Sequence, residues 1–124
     1  MVIIGNENID YPEIQVINSI LDIKNTKPNS IVIFKFDIEI MKYCKQNSIS
    51  YGVVINNIKE LMLSNSLSAN FIIIRNKDKN IQDIADNYMF DAKILTIINN
   101  DDEIEDVAKN SIDGVIYQAV IKGL

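Results

Sequence analysis

Three aspartates stand just beyond Ile/Val-rich runs: Asp37 after Ser30-IVIFKF, and Asp101 and Asp102 after Ala92-KILTII. Grouped carboxylate oxygens suit Mg²⁺, and Mg²⁺ supports phosphoryl chemistry. Lys35 would then stabilise charge beside Asp37. The three acids are metal-ligand candidates on one condition, that the two runs are neighbouring strands. A second set of residues is cationic. Arg75-Asn-Lys-Asp-Lys79 is the one compact basic stretch, and Arg75 is the only arginine. Lys35, Arg75, Lys77, Lys79 and Asn99 are ligand-binding candidates for a phosphate or a partner carboxylate. The competing reading is a solvated turn in which Asp78 offsets the lysines.

The rest of the inventory narrows the chemistry. The chain has no histidine and one cysteine, Cys44. Triads built on histidine, a histidine general base and the common zinc sites are therefore absent. A lone Cys44 at helical spacing from Ile40 reads as a small buried hydrophobe. The formal charge is −5 across 124 residues. That balance counts against duplex nucleic acid and anionic membranes, which need clustered lysine and arginine. One cysteine, no basic-then-apolar leader and no membrane-length apolar run predict a reducing, cytoplasmic setting. The weight of Ile, Asn and Lys suggests an AT-rich, bacterial coding sequence.

The elements that must position these residues follow from hydrophobic pattern. Five short apolar runs recur about every twenty residues: Ser30-IVIFKF, Tyr51-GVVI, Phe71-IIIR, Ala92-KILTII and Asp113-GVIY. Continuous Ile/Val runs are typical of strands covered on both faces. Helical stripes fill the intervals: Ile40, Met41, Cys44; Ile58, Leu61, Met62, Leu67; Ile81, Ile84, Ala85, Tyr88; Ile104, Val107, Ala108. The pattern predicts a single α/β domain over 1–124. Its expected architecture is a three-layer domain with a mainly parallel sheet of about five strands, flavodoxin-like or Rossmann-like. The β-to-α rhythm is read as the beat of that fold rather than as an internal repeat.

The first thirty residues allow two readings. Val2-Ile-Ile4 reads as a short strand in both; in the favoured one, Asp10-Tyr-Pro-Glu13 then opens a helix whose Ile14, Ile17 and Leu21 face the core. In the other, Ile14 to Ile17 is a strand and Ser19-Ile-Leu-Asp22 caps a short helix. Elsewhere, Asn57-Ile-Lys-Glu60, Asn80-Ile-Gln-Asp83 and Asn100-Asp-Asp-Glu103 each set Asn three residues before an acid, a capping pattern. Tyr88-Met-Phe-Asp91 is expected to pack beneath the next strand.

Family signatures are few. No G-x-G-x-x-G or Walker A sequence is present, so the usual phosphate cradles are missing. Receiver domains share the size and rhythm, but Gly5-Asn6 and Tyr117-Gln118 stand where their acidic pair and lysine belong. Ile112-Asp-Gly-Val-Ile116 resembles strands of phosphate-binding (β/α)₈ barrels over five residues only, in a chain half that length.

In open parallel sheets, ligands bind beyond the carboxyl ends of the strands. The expected function is a non-catalytic ligand-binding or regulatory module, taking a small anionic ligand or a protein partner there. One alternative is a Mg-dependent enzyme on a phosphorylated substrate. Another is a structural subunit of a homo- or hetero-oligomer, with an exposed edge strand giving a route to a dimer.

Overall fold

The apolar runs become strands because Ile and Val suit a pleated surface and have two faces to bury. The computed structural model describes all residues 1–124. In chain order the elements are β1 (Val2–Ile4), β2 (Ile14–Val16), α1 (Ile20–Ile23), β3 (Ile31–Lys35), α2 (Ile38–Gln46), β4 (Tyr51–Val54), α3 (Ile58–Ser66), β5 (Phe71–Ile74), α4 (Lys79–Asn87), β6 (Lys93–Ile98), α5 (Ile104–Lys109) and β7 (Gly114–Tyr117). Short 3-10 turns span Asp101–Glu103 and Gln118–Ile121. No helix is long and apolar enough to cross a membrane.

The α/β class and the parallel sheet are as expected, but the strands number seven rather than about five. All pairings are parallel, in the order β1-β7-β6-β5-β4-β3-β2. From β2 to β7 each strand lies beside its neighbour in sequence. The order therefore never reverses, and there is no switch point of the doubly wound kind.

Right-handed crossovers in such an order carry every helix to the same face. The buried clusters agree. The larger joins Val32, Phe34, Tyr51, Val53, Ile72 and Ile94 with helix residues Met41, Cys44, Leu61, Ile81, Ala85 and Val107. The smaller joins Ile4, Ile31, Ile33, Val54, Ile73, Leu95 and Ile116 with Ile121, and holds no α-helical residue. The sheet is curled, with helices outside and the smaller cluster within. Ile121 of the turn Gln118–Ile121 is fully buried in that interior, and the turn packs against β2. It thus closes over the seam between the unpaired edges, β1 and β2.

Near the amino terminus the structure follows the second reading. Residues 10–13 form no helix, Ile14–Val16 is a strand beside β3, and Leu21 is 70% exposed. The effective capping box is at Ser19, where Asp22 accepts from the Ser19 N–H at 3.2 Å. A β-branched run beside an open edge outcompetes a proline-started helix. A second correction concerns α4. Its N-cap is Asp78, accepting from the Asn80 N–H at 2.9 Å, and Asp83 pairs with Lys79 instead. Tyr88 and Met89 are exposed at 66% and 86%, so of Tyr88-Met-Phe-Asp91 Phe90 alone packs against the core.

The rhythm also repeats in detail at the helix ends. The N–H groups of Ile49, Ala69, Phe90 and Ile112 donate to the carbonyls of Cys44, Ser64, Ala85 and Val107. Ser48, Ser68, Met89 and Ser111 precede them with left-handed φ of 54°, 66°, 52° and 56°. Each is a Schellman stop built without glycine. Met89 is the costliest, a bulky side chain in a region that glycine adopts freely. Met89→Gly should raise stability by about 0.5–1 kcal/mol, because the exposed side chain gives up no packing. Thermal unfolding reads this directly, and a lowered midpoint would show that Met89 contributes contacts instead.

Candidate functional site

Strand alternation decides which side chains reach the inner face at the carboxyl ends. Lys35 continues the inward series Ile31, Ile33 of β3. Arg75 continues Phe71, Ile73 of β5, and Asn99 continues Leu95, Ile97 of β6. Three of the five ligand-binding candidates therefore stand on one face at one end of the sheet. Arg75 Nη1 donates to the main-chain oxygen of Leu124 at 3.3 Å, and Leu124 itself packs against the inner cluster.

Two clefts meet at Arg75 and Asn76. The inner one, of about 350 Å³, is lined by Arg75, Asn76, Lys77, Ile97, Asn99, Glu103 and Gln118. The outer one, of about 160 Å³, is lined by Ile55, Asn56, Asn57, Ile74, Arg75, Asn76, Asp78 and Ile81. Lys35 and Lys79 line neither.

The charges there are not equivalent. Lys77 is paired with Glu103 at 3.1 Å and lies 3.9 Å from Asp106. Lys79 is paired with Asp83 at 2.9 Å. Neither Arg75 nor Lys35 pairs with an Asp or Glu side chain. An arginine fork with one donor on the Leu124 main-chain oxygen keeps its other donors for an anion. The side-chain amides of Asn56, Asn76, Asn99 and Gln118 make no hydrogen bond within the protein, so they too are available.

Glu103 organises the wall. Its carboxylate accepts from the N–H groups of Asn99 and Asn100 and from Lys77. These contacts hold it below the ordinary carboxylate range, the Asn99 N–H contributing most and Lys77 next. A carboxyl depressed in the fold stabilises the fold above its unfolded-state value. That stabilisation is lost as pH falls through the depressed folded value. Glu103→Gln should therefore narrow the stability gap between neutral and acidic pH, with its main effect at neutral pH. Urea unfolding at several pH values checks this, and an equal loss at all pH values would contradict it.

The acids do not converge. Asp37 caps α2, accepting from Glu39 and Ile40 N–H at 3.0 and 3.2 Å. Asp101 accepts from the Tyr117 hydroxyl and from Asn6 Nδ2. The Asp102 N–H donates to the Asn100 cap at 2.9 Å. Strands β3 and β6 are separated by β4 and β5. At about 4.8 Å per strand, Asp37 stands well away from the other two. No group of three His, Cys, Asp or Glu side chains is placed to hold a metal ion. The condition for a shared Mg²⁺ site, neighbouring strands, is not met.

Asn100-Asp-Asp-Glu103 and Asn57-Ile-Lys-Glu60 do cap their helices. What the sequence concealed is that Glu103 also neutralises Lys77, and that Asn76 joins both clefts. Neither has a local signature. Gln118 and Asn56 follow strands, but their place beside Arg75 emerges only in the fold. The chain matches no protein-family model and has no significant match among curated proteins.

Proposed function

We propose that this protein is a non-catalytic module that binds a small anionic ligand at the carboxyl end of its sheet, anchored on Arg75. One observation supports the reading: Arg75 is the cation shared by both clefts and pairs with no Asp or Glu side chain, whereas the adjacent lysines are neutralised. Asn99 and Gln118 supply neutral donors and acceptors beside it. Anion recognition of this kind needs no catalytic group, which suits a chain without histidine. Lys35, at the same end, raises the local potential without joining either cleft. The single buried Cys44 supports a reducing, cytoplasmic setting.

The test is an NMR titration with inorganic phosphate. The side-chain signals of Arg75, Asn99 and Gln118 should move together and saturate. Saturable shifts elsewhere, or none at all, would overturn the reading.

A further inference from the structure

We infer that the ligand carries one flat aromatic or heteroaromatic ring a few bonds from its anionic group, and that the ring sits in the outer cleft. This rests on the reading of Arg75 as the anion anchor. The outer cleft differs from the inner one in its floor. Ile55, Ile74 and Ile81 are exposed by 4%, 4% and 7%, and all three face this space. Over that apolar floor stand Asn56 and Asn76, whose side chains have no partner in the protein. A ring needs the same two things, an apolar surface for its face and polar groups for its edge.

Size selects a single ring. The cleft offers about 160 Å³. An apolar cavity of about 150 Å³ accommodates benzene. Position fixes the spacer. Arg75 and Asn76 line both clefts, so an anion on the guanidinium lies at the boundary and leaves no room for a long linker. Asp78, which also lines this cleft, is occupied as the cap of α4 and disfavours a second anionic group beside it. The ligand class is thus a single-ring aromatic phosphate or carboxylate with its charge at one end.

Three probes separate the possibilities by calorimetric titration: methyl phosphate, phenyl phosphate and 1-naphthyl phosphate. Phenyl phosphate should bind at least about tenfold more tightly than methyl phosphate, from burial of the ring. Naphthyl phosphate should gain nothing beyond phenyl phosphate, since its second ring lies outside a cleft of this size. Asn56→Phe places a side chain in the cleft from an exposed position with no side-chain bonds to break. It should abolish the phenyl advantage, so that methyl and phenyl phosphate bind alike. Equal binding of methyl and phenyl phosphate overturns the ring inference and leaves the anion site standing. A phenyl advantage that persists in Asn56→Phe, or that grows further with naphthyl phosphate, also overturns it. Binding of none of the three overturns the anion site and the ring together.

Discussion

Gly114→Ala should lower the free energy of unfolding by about 3 kcal/mol or more, at the upper end of what overpacking costs. Gly114 opens β7 between β1 and β6, opposite Val2 on one side and Leu95 on the other. A Cβ there would lie 2.3 Å from the Val2 carbonyl oxygen and 2.8 Å from both Leu95 Cδ2 and Val2 Cβ. The first is a backbone atom of a paired strand and cannot swing aside as a side chain can. Relief requires β1 to part from β7, exposing Val2, Ile3 and Ile4. Gly123→Ala is the natural comparison. Its φ is +94°, but nothing lies within 4 Å of the added carbon. Conformational strain alone, about 1–2 kcal/mol, should follow there. Urea denaturation of the two variants separates crowding from strain, and similar losses would mean that β1 yields easily.

Replacing Arg75 by Gln should weaken phosphate binding by roughly thirtyfold, the loss of about 2 kcal/mol of charge-assisted hydrogen bonding. Arg75→Lys should recover part of this, since it keeps the charge and loses the planar fork. Lys77→Gln is the informative contrast. Lys77 lies in the same inner cleft, but its charge is committed to Glu103 at 3.1 Å. Its removal should change phosphate affinity far less than the Arg75 variants do, while freeing a carboxylate on the wall. If Lys77→Gln proved the more damaging, the anchor would lie on the Lys77 side and the role given to Arg75 would fall. Isothermal titration with phosphate at low ionic strength, where exposed charges are least screened, is the suitable measurement.

The five central strands were legible because runs such as Phe71-IIIR have few ways to hide so much apolar surface. Caps were legible where one residue did one task, as with Asp37 on α2 and Asn57 on α3. Legibility failed where competing elements were short. Ile14–Val16 has three residues, too few for period to separate strand from helix. Strand order left no local trace at all, because it depends on how the whole sheet curls. In the site, Lys35, Arg75 and Asn99 could be found as residues following strands. Their common inward direction could not, because an unbroken apolar run disguises which face is which. The bonds from Asn6 to Asp101 and to Tyr117 join distant parts of the chain, and no spacing in the sequence announces them.

The strand order also bears on how the chain acquires and loses its structure. From β2 to β7, every ladder joins consecutive strands, so contacts are local and chain closure is inexpensive. The exception is β1, whose Ile3 meets Val115 at nearly the opposite end of the chain. This is the pairing with the largest loop to close and one free edge. Folding would therefore proceed along the sheet and finish at β1. Native-state hydrogen exchange should show the amides shared by β1 and β7 opening before those of β4 and β5, as a separate and less stable cooperative unit.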